Sequence, residues 1–219
     1  MAFLLAGPLG TRVGLWPFIL GFGMLALSLL LGLVGASMSL VGGIKTGQWA
    51  AAAAGIVVGL AVVSVLSAVV LSARGAPPIH DITTDPEDPP LFVAILPIRT
   101  SAANPPEYLG AKVADEQRRA YPDIKPLVLP VEMRQAFDRV LGVVRDLGWD
   151  IVASDPSAGR IEAVDTTFWF GFKDDVVVRL RAMAGGTRID VRSKSRVGVG
   201  DVGTNARRVR ELLRRLQAA

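Results

Sequence analysis

The stretch Arg74-Gly-Ala-Pro-Pro-Ile-His-Asp-Ile-Thr-Thr-Asp-Pro-Glu-Asp-Pro-Pro90 divides the chain in two. It holds the single His, four carboxylates and five of the fourteen prolines. Before it the side chains are mostly apolar; after it the composition is that of a water-soluble domain. The joint therefore predicts a membrane part followed by a small soluble part.

The apolar part is sharply bounded. Mean hydropathy is +0.42 with 51% hydrophobic residues, and no charged residue occurs from Val13 to Ile44 or from Thr46 to Ala73. About 20 apolar residues cross a bilayer core, so residues 1–74 are expected to form a membrane hairpin. Its spans are placed at about 16–41 and 49–73, and the turn lies around Lys45. A fused buried core is the competing reading; few buried helices run so far without a charge. Trp16 and Trp49 stand where the spans begin, as interfacial anchors do. Small residues recur every four positions, Ser28, Gly32 and Ala36 in the first span and Ala51, Gly55 and Gly59 in the second. Such stripes let helices approach closely in lipid, within the chain or between two copies.

Residues Met1–Gly10 are too short to span and are expected at the interface. Val34-Gly-Ala36 has the small-x-small form of a signal-peptidase site, but the charge-free run before it is long for a signal core. Processing of the first span therefore stays open. Arg12 and Arg74 against Lys45 give a positive-inside count of two to one for a cytoplasmic C-terminal domain.

Eight prolines between Pro77 and Pro106 make residues 75–123 an extended, semi-rigid strap ending in a short helix near Leu109–Arg119. Leu91, Phe92, Val93, Ile95, Leu96 and Ile98 are too apolar for water, so the strap is expected to lie against residues 124–219. There the periodicities predict strand Leu127–Leu129, helix Val131–Leu147 capped by Gly148, and strands Trp149–Ala153 and Arg160–Phe170. A hairpin Asp175–Ala182 with Thr187–Val197 and a helix Thr204–Leu216 follow. In the hairpin Val176, Val178 and Leu180 oppose Arg179 and Arg181. Ile189, Val191, Ser193, Ser195 and Val197 oppose Arg188, Asp190, Arg192, Lys194 and Arg196. The order β-α-β-β-β-β-α predicts an α+β fold, an antiparallel sheet with two helices on one face in the manner of helix-grip domains.

The segments Pro77–Pro90, Tyr121-Pro-Asp123, Phe172-Lys-Asp-Asp-Val-Val-Val-Arg179 and Asp190-Val-Arg-Ser-Lys-Ser-Arg-Val-Gly-Val-Gly-Asp-Val-Gly-Thr-Asn205 carry a family resemblance. They are similar to the bacterial and plastid proteins of domain-of-unknown-function family 1499, over about residues 75–217. The resemblance implies no activity. It does imply a protein of the cell envelope and pulls toward a periplasmic domain, against the charge count. With the two apolar runs the expectation is a multi-pass protein of the bacterial inner membrane, the cytoplasmic side staying open for the domain.

Few residues carry chemistry. The absence of Cys removes disulfides, thiolate metal sites and Cys nucleophiles. His80 with Asp81, Asp85, Glu87 and Asp88 has the residue types of a metal cluster, but a lone His is thin for one; these side chains are expected to bond turn backbone instead. Asp174-Asp175 with Asp165 has the residue types of a two-carboxylate hydrolase, but adjacent Asp residues point to opposite sides of a strand, so the pair itself cannot act; Asp174 is expected to close a turn. Neither a metal nor a cofactor is implied.

Ser193 and Ser195 stand on an apolar face and need partners. They either join a structural network with Arg196, Asp201, Thr204 and Asn205 that pins the following loop to the last helix, with Asp201 or Thr204 as N-cap, or line a ligand pocket with Thr166, Thr167, Trp169, Arg196 and Asn205. Arg207, Arg208, Arg210, Arg214 and Arg215 make the last helix basic, a face for lipid headgroups or an acidic partner. Without an aromatic stacking platform it argues against nucleic acid. The resulting expectation is a membrane-anchored, non-catalytic binding or scaffolding module with membrane lipids and an envelope protein as partners. A carrier for a lipid or small hydrophobic ligand is the alternative, and a hydrolase-type enzyme comes third.

Overall fold

The computed structural model describes residues 2–218, with the backbone alone at 65, 66, 69, 72 and 73. The chain forms two compact units. One runs to Arg74 and takes in Phe168–Gly171; the other holds Gly75–Thr167 and Phe172–Ala219.

The first unit contains helices α1 (Ala2–Arg12), α2 (Phe18–Thr46) and α3 (Trp49–Ala73). Helix α2, with mean hydropathy 2.3 in its apolar window, is long and apolar enough to cross a membrane. At about 1.5 Å per residue it exceeds the ~30 Å hydrocarbon core. It ends at Gly47, whose φ of 72° supplies the left-handed cap, its N–H returning to the Gly43 carbonyl.

Helices α2 and α3 run antiparallel, packed through their small residues. A Cβ at Gly59 would lie 2.5 Å from the Gly32 carbonyl oxygen and 2.8 Å from Ala36, and one at Gly43 would lie 2.7 Å from Ala52. The anticipated stripes are thus used inside the chain, with one correction: Ala52 is buried against α2 and Ala51 is exposed. Helix α1 packs along α2 through Gly7, which meets Gly21, while the ring of Trp16 in the connection covers Gly10. The apolar N-terminal residues therefore form a helix that packs against α2.

The second unit is α+β. Its elements are β1 (Asp81–Thr83), a 3-10 turn (Leu96–Ile98), α4 (Ala111–Ala120), β2 (Leu127–Leu129), α5 (Met133–Asp146), β3 (Asp150–Asp155), β4 (Arg160–Thr166), β5 (Lys173–Met183), β6 (Gly186–Ser195) and α6 (Thr204–Ala218). Every strand pairing is antiparallel, in the order β1-β6-β5-β4-β3. Strand β2 shares the outer edge of β6 with β1, opposite Thr187–Ile189 while β1 lies opposite Arg192–Lys194. Between them Thr84 closes the edge, donating its N–H to the Val191 carbonyl at 2.8 Å and accepting the Val191 N–H on Oγ1 at 2.9 Å.

From residue 124 onward the expected order is present. The strap alters the sheet: it contributes β1, so the sheet has six strands. Strand β4 stops at Thr166, short of Phe170, because Thr167 bonds back to Phe172 in both directions and Gly171 turns at φ 67°.

One face of the sheet carries the apolar core. Phe137, Val140 and Val144 of α5 and Ala206, Val209, Leu212 and Leu216 of α6 close over Ile161, Val176, Val178, Leu180, Ile189 and Val191. On the other face the strap crosses the polar side chains of β4, β5 and β6. Phe92 and Ile95 reach down to Val164 and Val177 there, forming a second small core.

Candidate functional site

The alternation along β5 and β6 sends two sets of charged and polar side chains in opposite directions, and both sets are covered.

On the helix side, Arg208 of α6 reaches over the end of the sheet. Its Nε donates to Asp165 at 2.8 Å, Nη2 to Asp174 at 2.7 Å, and Nη1 to Ser193 Oγ at 3.0 Å and Asn205 Oδ1 at 2.6 Å. Asn205 accepts from Ser193 Oγ at 2.6 Å and donates to Ser195 Oγ at 2.9 Å and to the His80 carbonyl at 3.1 Å. Asp201 caps α6, accepting the N–H groups of Gly203 and Asn205 at 2.9 and 2.6 Å. Asp165 and Asp174 are cross-strand neighbours sharing one guanidinium. Burial pushes the Asp174 carboxyl up, against the opposing pull of Arg208.

On the strap side the charges are deeper. Arg192 and Lys194 both bond Asp81, and these three side chains are at most 1% exposed. Arg192 also donates to the Pro90 and Pro106 carbonyls at 3.2 and 2.8 Å, and Lys194 to the Glu107 carbonyl at 2.6 Å. The Phe92 and Tyr108 rings flank the Arg192 guanidinium at 4.7 and 5.5 Å. Asp175 pairs with Arg99 and with Arg196, and these two arginines take the Asn104 and Ile98 carbonyls. Burial lowers the Lys194 ammonium below its ordinary range and raises the Tyr108 phenol to about 12.

Glu162, fully buried, accepts the backbone N–H groups of Val93, Ala94 and Ile95 at 3.0–3.1 Å. At the far end Asp190 and Asp85 hold Arg179, Arg181 and Arg188.

This geometry sorts the anticipated site residues. Ser193, Ser195 and Asn205 come together in a closed network. Arg196 does not join them: one residue beyond Ser195, it points to the strap face and Asp175. Thr166 pairs with Lys173 in the sheet, Thr167 closes the β4–β5 turn, and Trp169 is exposed beyond it. Arg208 leaves the basic face for the interior, at 4% side-chain exposure. Arg207, Arg214 and Arg215 stay on the surface, the last two bonded to Glu211, whose carboxyl they hold down at about 2.

Each acid of the joint has at least one cationic partner. Asp81 bonds Arg192, Asp85 and Asp88 meet arginines of β5, and Glu87 meets Arg118. The His80 ring faces the Val199 carbonyl at 3.0 Å, so no Ser–His pair forms with Ser193 or Ser195. Asp174 and Asp175 do point apart, one to Arg208 and the other to Arg99 and Arg196.

Sequence reasoning missed Glu162, and it set Asp165 beside Asp174 without the Arg208 that joins them, placing that arginine on the exposed basic face instead. The available signal was that Arg208 lies three residues after Asn205, on the same helix face. A cleft of about 250 Å³ lies between Asp123–Leu127 and α6, with Arg210, Leu213, Arg214 and Gln217 along its wall.

Comparison with curated proteins gives no match. Residues 81–216 match the family model described as a protein of unknown function, DUF1499, a span that begins at Asp81 in the strap and ends inside α6. That span covers more than half of the 219 residues and holds both buried networks, and on it the chain belongs to the DUF1499 family.

Proposed function

We propose that the chain is a membrane-anchored, non-catalytic binding module, with α2 and α3 both crossing the bilayer and the α+β unit presenting a protein-docking surface at the envelope. The observation that carries this is the outer side of the strap. Leu91, Val93, Leu96 and Ile98 are 43–68% exposed, while Phe92 and Ile95 between them are buried. Their backbone is held by the Glu162 carboxylate and by Arg196 on the Ile98 carbonyl. A row of aliphatic side chains on a pre-ordered backbone loses little conformational entropy on docking, and an exposed apolar patch of this kind marks interaction surfaces.

The filled core favours this over a ligand carrier. Leu212, Leu216, Ile189 and Val191 leave no solvent exposure between sheet and helices, and the cleft beside α6 is smaller than the ~300 Å³ at which ligand pockets begin. Against an enzyme, the carboxylates of both networks, Asp165 and Asp174 on one side and Asp81 and Asp175 on the other, are each held by an arginine. The domain is assigned to the periplasmic side of a bacterial inner membrane, on the family resemblance and against the charge count. Protection from protease in spheroplasts would refute that assignment.

The test is purification of the full chain from its native membrane in mild detergent, beside a Leu91→Ser, Leu96→Ser, Ile98→Ser variant. A reproducible set of proteins that accompanies the wild type and is lost from the folded variant is expected. The same set on both would remove the strap from the interface, and no reproducible set on either would remove the scaffold reading.

A further inference from the structure

The β4–β5 connection, Thr167-Phe-Trp-Phe-Gly-Phe172, has four aromatic residues in six. Its ends are pinned, with the Thr167 N–H on the Phe172 carbonyl at 2.8 Å and the Phe172 N–H on Thr167 Oγ1 at 2.9 Å. Phe168 is 71% and Trp169 53% exposed, their rings edge to face at 5.2 Å.

Phe168–Gly171 group with the membrane helices, and the contacts are specific. The Phe170 ring lies 4.7 Å from that of Phe22, in the second turn of α2. Arg12 donates Nη1–H to the Phe168 carbonyl at 2.6 Å and places its guanidinium 5.7 Å from the Phe168 ring. The loop thus sits where α2 begins, at the level of Arg12 and Trp16.

We infer that Phe168 and Trp169 form an additional membrane-interface anchor, inserting into the boundary between headgroups and acyl chains of the leaflet in which α2 begins. The inference rests on the proposal that α2 crosses the bilayer. Two large aromatic surfaces left in water cost hydration free energy that the interface recovers. Indole, apolar in body with one N–H at its edge, is the side chain enriched at that depth. A cation beside the rings suits the adjoining phosphate layer. The occupant is therefore the phospholipid interface itself; a protein partner or a second copy would leave a different signature.

Because the chain has no cysteine, single nitroxide labels can be placed cleanly on the full chain in nanodiscs of phosphatidylethanolamine and phosphatidylglycerol. Labels at Trp169→Cys and Phe168→Cys are compared with Leu33→Cys, midway along α2, and Ala158→Cys, on the exposed β3–β4 turn. The ratio of oxygen to nickel-chelate collisions is expected several-fold higher at 168 and 169 than at 158, and lower than at 33. A ratio at 168 and 169 equal to that at 158 overturns the anchor. Low collision with both reagents also overturns it, because protein would then cover the loop. If position 33 itself behaves like 158, the membrane reading fails and the anchor with it.

Discussion

Arg192 and Asp81 form a bidentate pair, Nε to Oδ1 at 2.9 Å and Nη2 to Oδ2 at 2.8 Å, with neither side chain open to solvent. The pair joins the strap to the middle of β6, and Lys194 shares its carboxylate. Asp81→Asn would leave two buried cations facing a neutral amide. Breaking one side of a buried pair costs about 3–5 kcal/mol, chiefly as the desolvation of the charge left behind. Urea unfolding of the full chain in mild detergent should show a loss of that size. A loss below about 1 kcal/mol would mean the backbone carbonyls of Pro106 and Glu107 suffice for both cations.

Glu162 offers a sharper readout. Its two oxygens accept three successive strap amides, and Glu162→Gln exchanges one acceptor oxygen for a donor facing N–H groups. Hydrogen bonds to a charged group contribute about 1.5–3 kcal/mol each, so the variant should lose at least about 2 kcal/mol. Amide hydrogen exchange at Val93, Ala94 and Ile95 should accelerate while the amides of α5 keep their protection. Unchanged exchange at those three amides would show that the cradle does not hold the strap.

Asp174 gives a pH dependence of opposite sign to the surface acids. Its carboxyl titrates above the ordinary value of 3.8 because burial disfavours the anion, so the folded state binds that proton more tightly than the unfolded chain. Its contribution is fully present below the unfolded value and is lost as pH rises through the folded one. Asp88 and Asp123, held low by hydrogen bonds from Arg181 and Arg210, behave in the reverse way. Asp174→Asn removes the first contribution alone. The stability difference, variant minus wild type, should move in the variant's favour as pH rises above 3.8 toward neutrality. A difference that stays flat over that range would show that Arg208 fully offsets the burial.

The fold was largely legible, and for a definite reason. Val176, Val178 and Leu180 alternating with Arg179 and Arg181 fix which side chains share a face, and Phe137, Val140 and Val144 fix the buried stripe of α5. Periodicity reports sidedness, not cover. Arg192 and Lys194 have the pattern of a solvent-facing row, and they are fully buried because the strap lies over them. A three-residue strand such as Asp81–Thr83, set among prolines, carries too little pattern to stand out. The bonds from the Val93 N–H to Glu162 and from Arg208 to Asp174 join residues 69 and 34 positions apart, where no local signal reaches. Ser193, Ser195 and Asn205 were found because a hydroxyl on an apolar face is itself anomalous.

In the first unit, Gly59 and Gly23 make a matched pair. A Cβ at Gly59 meets the Gly32 carbonyl oxygen and Ala36, whereas one at Gly23 meets nothing within 4 Å. Gly59→Val must separate α2 from α3, at a cost typical of overpacking, about 1–3 kcal/mol. Gly23→Val should be close to neutral. Thermal unfolding of the helices in detergent, followed by far-UV dichroism, separates the two. Equal midpoints would mean that the close approach of α2 and α3 contributes little to the hairpin.

Val202 holds φ at 56°, the positive-φ position occupied by a residue other than glycine among the described residues. A β-branched side chain there crowds its own carbonyl, at about 1–2 kcal/mol. The strain persists because Asp201 on one side caps α6 through the N–H groups of Gly203 and Asn205. Val202 itself is 42% exposed, so little packing offsets the cost. Glycine would relieve the strain, but the greater entropy of its unfolded chain costs about 0.5–1 kcal/mol. Val202→Gly should therefore stabilise the domain by roughly 0.5–1 kcal/mol, read as a higher urea midpoint at unchanged slope. A lower midpoint would show that the valine side chain contributes more contact than its backbone conformation costs.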